Sequence, residues 1–334
     1  MEFTKIAGTE LTVSRIGLGT WAIGGWMWGG SDESDSIAAI CAAVDHDINL
    51  IDTAPVYGFG RSEEILGKAL ASHGLRNRVV IATKVGLDWR DRQPYRHASR
   101  RRIFAEVEAS LKRIGTDYID IYQLHWPDPF IPVEECAQAM LALLKQGKIR
   151  AIGVSNFTRL QMRDFRRVTR IHTVQPPYNL FERESEQDVL PYCLWHGITS
   201  LAYGPLCRGL LSGRMRSETA FSGDDQPKID PKFQQPRYGQ YLRAVAELDR
   251  FARENYGRRV IHLALRWVLD QPGVSVALWG ARRPSQLDPL GQVMGWTLGH
   301  DAMQEIDRIV RKNVTNPIGP EYMAPPVRAE IAAA

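Results

Sequence analysis

The sequence predicts an α/β protein folded as a (β/α)8 barrel, the TIM-barrel fold, with an N-terminal β-hairpin and a C-terminal helix and tail. Short apolar strands alternate with amphipathic helices after residue 16, a pattern typical of parallel sheets. Eight such strand–helix units, the number that closes this barrel, fit the length of the chain. No change in composition marks a linker, so residues 1–334 are expected to form a single domain, with a tail from about residue 315 to 334.

The N-terminal part of the chain contains a motif that could be mistaken for a nucleotide-binding turn. Residues 3–15 are predicted to form the hairpin, and the first barrel strand follows it. Gly17-Leu18-Gly19-Thr20-Trp21-Ala22 matches the relaxed dinucleotide fingerprint G-x-G-x-x-A. That fingerprint requires a helix immediately afterwards, whereas two glycine pairs here delay the predicted helix to about Ser31. We therefore reject a Rossmann turn.

A polar or glycine residue lies at the end of each remaining strand or directly after it. Strands are predicted to end at Asp52 and to cover residues 79–84, 119–125, 149–154, 173–175, 199–203 and 274–279. Helices are predicted at about residues 32–47, from 62 onwards, and at 99–114, 133–146, 158–170, 186–196, 241–255, 260–271 and 300–312. The C-terminal ends of barrel strands meet on the face that holds active sites. The residues expected to converge there are Asp52, Lys84, His125, Ser155, Asn156, Gln175, Tyr203 and Gly280.

Four of these positions predict a catalytic cluster. Asp52 ends an apolar strand, although Asp is depleted from strand interiors. Tyr57 follows on a glycine-rich turn and offers a phenol that can donate a proton to a reacting group. Lys84 and His125 end two further apolar strands. Any one of these residues alone would fit a salt bridge or a structural hydrogen bond, but the set indicates a catalytic site.

The composition is that of an ordinary globular protein and narrows the choice of function. The chain is 44% hydrophobic and 24% charged, with a formal net charge of +4, which says little about nucleic acid. It has neither an apolar run long enough to span a membrane nor a signal-peptide core. Its four cysteines are dispersed, which predicts reduced thiols and a cytoplasmic location. No metal-ligand spacing is present, and we expect a monomer that binds a small molecule.

Several motifs, taken together and in order, resemble the aldo-keto reductases nearly from end to end. They are Asp52-Thr53-Ala54-x-x-Tyr57-Gly58, the strands ending at Lys84 and His125, and Gly153-Val154-Ser155-Asn156-Phe157. Residues 175–183 and 278–282 look closest to the bacterial branch that contains general stress protein 69. The resemblance implies NADPH-dependent reduction of aldehydes and ketones, with a role in stress response. Tyr57 would be the general acid, Lys84 and Asp52 its charge partners, and His125 the residue that orients the carbonyl.

The resemblance also implies the residues that hold NADPH or NADP. Thr20, Trp21 and Asp52 would contact the cofactor, Ser155, Asn156 and Gln175 would hold the nicotinamide carboxamide, and Tyr203 would stack on the nicotinamide ring. The pyrophosphate would lie under Gly204, Pro205, Leu206, Cys207, Arg208 and Arg214, and the adenosine end beside Gly280, Ala281, Arg282 and Gln286. Arg282 is the first candidate for the 2′-phosphate because a guanidinium binds phosphate bidentately, and Arg283 is its rival. Pro289-Leu290 departs from the Glu-Asn of many relatives, and Trp279 from the usual proline.

The predicted roles fit the chemistry of the residue types. A phenol is a reluctant acid at neutral pH, and a nearby ammonium should lower its pKa. Asp52 would keep Lys84 charged and fixed, and His125 could donate a hydrogen bond to the carbonyl oxygen. Tryptophans at strand ends (Trp21, Trp89 and Trp126) would line a pocket for aromatic or apolar aldehydes, or else pack in the core.

Two other functions are compatible with parts of the pattern. One is a nucleotide-sensing regulatory subunit with slow turnover, like the potassium-channel β subunits that resemble the same family. The other is a barrel glycosidase, which needs paired carboxylates at strand ends. Because Asp52 is accompanied by a lysine, a tyrosine and a histidine, we set the glycosidase aside.

Overall fold

A computed structural model describes residues 1–328, and in that range eight parallel strands close into a barrel. The barrel strands are β3 (Ile16–Gly19), β4 (Leu50–Asp52), β5 (Val80–Val85), β8 (Ile119–Leu124), β9 (Ile149–Ser155), β10 (Thr173–Gln175), β11 (Thr199–Tyr203) and β12 (Val276–Gly280). They pair in chain order, and β12 pairs with β3 to close the ring. The predicted (β/α)8 barrel is therefore confirmed.

Helices surround the barrel and cover the outer faces of its strands. They are α1 (Trp21–Gly24), α2 (Glu33–Asp45), α3 (Arg61–His73), α4 (Arg100–Ile114), α5 (Val133–Lys145), α6 (Arg159–Arg166), α7 (Val189–His196), α8 (Arg237–Tyr256), α9 (Val260–Asp270) and α10 (His300–Asn313). No helix within residues 1–328 is both long and apolar enough to cross a membrane.

The predicted hairpin, β1 (Phe3–Lys5) and β2 (Thr12–Ser14), closes the N-terminal end of the barrel. Ile6, Leu11 and Val13 are buried against inward-facing strand residues such as Leu50 and Ile121. This apolar plug shields one end of the barrel interior from water. The polar strand ends are therefore left at the opposite, open end.

The structure differs from the sequence prediction in two elements near that open end. A second hairpin, β6 (Leu87–Arg90) and β7 (Gln93–Arg96), follows β5 and was missed. The predicted helix does begin close to Ser31, as α2 at Glu33, but the single turn α1 that forms directly after β3 was also missed. That turn is too short to present the helix N-terminus that a Rossmann fingerprint requires, so the motif still does not act as one.

Candidate active site

Close backbone packing holds Tyr57 at the end of β4. Gly58 has φ of +68°, and a Cβ at this position would lie 2.2 Å from the carbonyl oxygen of Gly24. A Cβ at Gly24 would lie 2.5 Å from the carbonyl carbon of Tyr57. Only glycine fits at these two positions, which lets the loop after β3 lie directly on the Tyr57 turn. The Tyr57 ring then stacks on Trp21, with centroids 5.6 Å apart.

Lys84 is the centre of the predicted catalytic cluster. Its Nζ donates to the Asp52 carboxylate at 2.6 Å and to the Thr53 carbonyl at 2.9 Å, and it lies 3.1 Å from the Tyr57 hydroxyl. Lys84 is completely buried and Asp52 nearly so. A buried ammonium is tolerated only with such partners. The structure therefore brings three residues from β4, its following turn and β5 into hydrogen-bonding reach.

The second oxygen of the Asp52 carboxylate is held by two amides. Gln175 Nε2 donates to it at 2.8 Å, and Gln123 Nε2 donates at 3.2 Å. Gln123 was not predicted as a site residue. It lies two positions before His125, so the period-2 alternation of a strand already places both on the same, inward face. The two amides fix the carboxylate that pairs with Lys84.

Burial controls the protonation of the cluster. The pKa of Tyr57 lies well above 10 because burial disfavours the phenolate and the Asp52 carboxylate repels it. The expected lowering of this pKa by Lys84 is therefore wrong, since burial and the Asp52 carboxylate together outweigh the ammonium. Burial also lowers the pKa of Lys84, an effect that its ion pair with Asp52 opposes. The phenol is protonated at neutral pH, which is the form that an acid must have.

His125 faces Tyr57 from the end of β8. The two rings meet edge to face, with centroids 5.8 Å apart. Burial, with a smaller contribution from the nearby Lys84 ammonium, holds the pKa of His125 well below 6.5. The imidazole is therefore neutral at pH 7, with one N–H donor. A neutral donor beside a protonated phenol suits an uncharged acceptor such as a carbonyl oxygen.

A cavity of about 650 Å³ opens above the cluster. Nearly all of the predicted site residues line it: Thr20, Trp21, Asp52, Tyr57, His125, Ser155, Asn156, Gln175, Tyr203, Gly204, Pro205, Leu206, Arg208, Arg214, Gly280, Arg282 and Gln286. Lys84 lies behind Tyr57, while Cys207 and Ala281 are buried behind the wall. Burial raises the pKa of the Cys207 thiol to about 12, which argues against thiol chemistry there.

The residues predicted to hold the carboxamide form one hydrogen-bonded chain. The Ser155 hydroxyl donates to the Gln175 carbonyl at 2.7 Å, and Asn156 Nδ2 donates to the His125 carbonyl at 2.9 Å. The Tyr203 hydroxyl donates to the Asn156 side-chain oxygen at 3.0 Å. This chain links the ends of four strands and fixes the floor of the cavity next to Tyr57.

The two candidate arginines for phosphate binding have different surroundings. Arg282 lines the cavity and donates from Nη1 to the Trp28 and Gly30 carbonyls. Its other guanidinium nitrogens have no carboxylate partner among residues 1–328. The exposed Arg283, in contrast, pairs with Asp35 at 3.1 Å. Arg282 thus keeps more unneutralised charge beside the cavity.

The exposed backbone and the positive charges of the cavity wall suit a dinucleotide. Gly19 and Gly280 are register partners in neighbouring strands and line it with bare backbone. A Cβ at either position would meet no protein atom closer than 3.8 Å, so it would occupy cavity space. Arg214 and Arg282 add positive charge to the wall, which suits phosphate groups. Pro289 lines the same wall.

Aromatic side chains surround the part of the cavity near Tyr57. Trp21 and Trp126 line it, as predicted, and Trp26 and Trp28, which were not predicted to do so, line it as well. Trp89 does not line the cavity and packs on Phe59 instead, with centroids 5.6 Å apart. In residues 1–328, no group of His, Cys, Asp or Glu side chains is arranged to hold a metal ion.

Comparison with known proteins agrees with this geometry. The model of the aldo/keto reductase family matches residues 15–311. The chain is 59% identical to the aldo-keto reductase YhdN of Bacillus subtilis over 331 residues, 99% of this chain and 100% of that protein. It is 37% identical to the NADH-specific methylglyoxal reductase of Escherichia coli over 304 residues, 86% of this chain and 91% of that protein.

Solved structures give the same assignment. The glycerol dehydrogenase AKR11B4 from Gluconobacter oxydans superimposes with a TM-score of 0.87 at 49% identity, over 95% of this chain and 98% of that one. The holo form of the aldo-keto reductase AKR11C1 from Bacillus halodurans gives 0.77 at 26% identity, over 96% and 99%. The family match, the YhdN-like sequence and the buried Asp–Tyr–Lys–His cluster thus establish this chain as an oxidoreductase of the aldo/keto reductase family.

Proposed function

We propose that this protein reduces aldehydes and ketones to alcohols with NADPH, using Tyr57 as the general acid. The observation that carries the proposal is the position of the Tyr57 hydroxyl, which lies 3.1 Å from the buried Lys84 ammonium at the floor of the cavity. A reduced nicotinamide would supply the hydride. The residues of the chain would then have to place the carbonyl, supply a proton and hold the developing negative charge.

The protein side of this reaction follows from the positions of four residues. Tyr57 donates its proton to the carbonyl oxygen as negative charge develops there. Lys84 stabilises the phenolate that remains, because its ammonium is fixed against the Asp52 carboxylate. The neutral His125 donates a second hydrogen bond to the same oxygen, a role typical of an oxyanion hole. The phenolate, which burial disfavours, is thus stabilised only while Lys84 is charged.

We infer the preference for NADPH from the position of Arg282. Its guanidinium lies on the cavity wall, and only part of it is used by backbone carbonyls. The E. coli relative is NADH-specific by name, so membership of the family does not decide this preference. A 2′-phosphate beside Arg282 would form a charge-assisted hydrogen bond that NADH cannot form.

The wall around Tyr57 favours an apolar or aromatic carbonyl compound. Tryptophans line this part of the cavity, together with Val56 and Leu87. Burial of an aromatic ring against them would stabilise the complex by stacking and by the hydrophobic effect. Small hydroxylated carbonyl compounds would leave much of this apolar surface in contact with water.

The proposal is tested by following NADPH oxidation optically with a panel of aldehydes, for the wild type and for Tyr57→Phe. Benzaldehyde and methylglyoxal represent the aromatic and the small polar classes, and NADH is run in parallel. Turnover that is lost in Tyr57→Phe while NADPH binding persists would support the reductase and its acid. Tight NADPH binding without turnover on any carbonyl would instead favour a regulatory subunit.

A further inference from the structure

A buried cluster of charges joins the cofactor loop to the C-terminal tail at the mouth of the barrel. It consists of Glu182, Arg208, Asp230, Lys232 and Tyr322, which come from four separate segments of the chain. Glu182, Asp230 and Lys232 are at most 1% exposed, and the side chain of Arg208 is 5% exposed. We call these five residues the mouth cluster. None of them belongs to the proposed catalytic machinery around Tyr57.

The charges of the mouth cluster balance one another. Glu182 accepts from Arg208 at 2.6 Å and lies 2.8 Å from the Lys232 ammonium. Asp230 lies 3.4 Å from Lys232 and 3.6 Å from Arg208 Nε. The Tyr322 hydroxyl donates to Asp230 at 2.9 Å, and its ring lies under both cations. Buried ions keep their charge only in such a geometry, so displacement of one member disturbs the others.

On one side, the mouth cluster fixes the loop that follows β11. Arg208 has φ of +54° and Cys207 φ of +46°, a left-handed conformation that non-glycine residues seldom adopt. Asn179 Nδ2 donates both to Glu182 at 2.7 Å and to the Gly204 carbonyl at 3.0 Å. Because its guanidinium is neutralised by carboxylates, Arg208 is a poor phosphate ligand. Its side chain holds the loop in place.

On the other side, the mouth cluster fixes the tail. Lys232 Nζ donates to the Gly319 carbonyl at 3.2 Å, and Arg208 Nη2 lies 3.1 Å from the sulfur of Met323. Tyr322, Met323 and Pro325 line the same cavity as Gly204 and Arg208. Further along, Arg96 Nε donates to the Pro325 carbonyl, and Arg328 pairs with Asp128 at 3.1 Å. Residues 319–328 of the tail therefore form a wall of the cavity, held at Gly319 and again at Arg328.

We propose that Arg208 and Tyr322 are positioning residues that couple dinucleotide binding at the 204–214 loop to the tail wall of the carbonyl site. A ligand that presses on this loop moves the Arg208 backbone, and the carboxylates shared with Lys232 and Tyr322 transmit the shift to residues 319–325. Such coupling is reciprocal, so tightening of either side strengthens binding on the other. This inference rests on the proposed function, because it takes the loop ligand to be NADPH.

Tyr322→Phe tests the coupling with a minimal change. It removes the hydrogen bond to Asp230 and keeps the ring beside the cations. The matched control is Tyr192→Phe, since the Tyr192 hydroxyl also contacts an arginine, Arg166 at 3.0 Å, but on the outer helices. Circular dichroism and thermal unfolding verify that both variants fold. The readout is the rate at which trypsin cleaves after Arg328, followed by intact mass with and without saturating NADPH.

Coupling predicts that NADPH slows this cleavage at least fivefold in the wild type and in Tyr192→Phe, but less than twofold in Tyr322→Phe. The KM for benzaldehyde should rise at least fivefold in Tyr322→Phe with kcat within twofold, and NADPH binding by tryptophan fluorescence should weaken severalfold. Equal protection by NADPH in all three proteins would overturn the inference. If the wild type binds NADPH without turnover, the proposed function fails while the protection assay still decides the coupling.

Discussion

The Nζ of Lys84 lies 3.1 Å from the phenol oxygen of Tyr57, and both side chains are buried. The ammonium is also paired with Asp52, so its charge is already partly neutralised where the phenol meets it. This buried arrangement, in which burial first and the Asp52 carboxylate second disfavour the phenolate, explains why the pKa of Tyr57 is raised rather than lowered. It keeps the proton on the acid at neutral pH and places a cation where the phenolate will form.

Removal of the Tyr57 hydroxyl should abolish most turnover and leave cofactor binding intact. General acid catalysis contributes ~10²–10⁴-fold, so kcat of Tyr57→Phe should fall by about that factor. The ring still stacks on Trp21, and quenching of tryptophan fluorescence by NADPH should therefore be unchanged. Tyr118→Phe, at a tyrosine outside the cavity, is the control. Undiminished turnover in Tyr57→Phe would mean that another group is the acid.

Breaking the buried Lys84–Asp52 pair should destabilise the protein. Lys84→Met leaves the Asp52 carboxylate buried without its partner, which typically costs ~3–5 kcal/mol. Asp52→Asn should cost a similar amount, and the double variant should lose less than the sum of the two. Urea unfolding measures the free energies.

The control is Lys68→Met, which removes the exposed pair with Glu33 and should cost below ~1 kcal/mol. Additive losses in the double variant would contradict a coupled pair.

The cofactor preference should depend on Arg282 and much less on Arg283. A charge-assisted hydrogen bond contributes ~1.5–3 kcal/mol, so Arg282→Ala should lower kcat/KM for NADPH about 10- to 100-fold while NADH changes little. Arg283→Ala is the matched control, because Asp35 already neutralises that guanidinium. Asp35→Asn should release Arg283 and raise the NADPH preference. A larger effect of Arg283→Ala than of Arg282→Ala would reverse the assignment.

The free energy of unfolding should fall at acidic pH because the native state disfavours protonation of His262. Burial, reinforced by Arg259 and Arg258, lowers the pKa of His262 to about 4. The unfolded chain, with a pKa near 6.5, then binds more protons than the native state between these values. The stabilisation is complete above about pH 6.5 and is lost as the pH falls toward 4.

His262→Asn keeps an acceptor for the Arg259 backbone N–H, which donates to His262 Nδ1 at 3.0 Å, but does not titrate. Chemical unfolding at several values of pH should therefore show a flatter slope for this variant between pH 6.5 and 4. Some slope should remain, because burial also lowers the pKa of His125 and of His172. Identical slopes for the variant and the wild type would contradict the origin assigned to this acid sensitivity.

The sequence by itself determined the barrel and most of the floor of its cavity. Alternation of apolar strands with helices implies parallel pairing, which brings Asp52, Lys84 and His125 to the same open end, and a period of two along each strand selects the inward-facing residues. These are local rules, so they can be applied residue by residue. The same period would also have identified Gln123, which the prediction overlooked because its strand ends in the more conspicuous His125.

Only the tertiary structure decided the properties that depend on burial and on distant segments. The direction of the Tyr57 pKa depends on how far desolvation and Asp52 outweigh Lys84, a balance that needs distances. The mouth cluster joins parts of the chain that lie far apart in sequence, as Tyr322 and Asp230 do. The predicted tail can be followed to Arg328, its residues Tyr322, Met323 and Pro325 line the cavity, and residues 329–334 lie outside the described range. Long-range electrostatics and packing have no periodicity, so the pattern of residues could not reveal them.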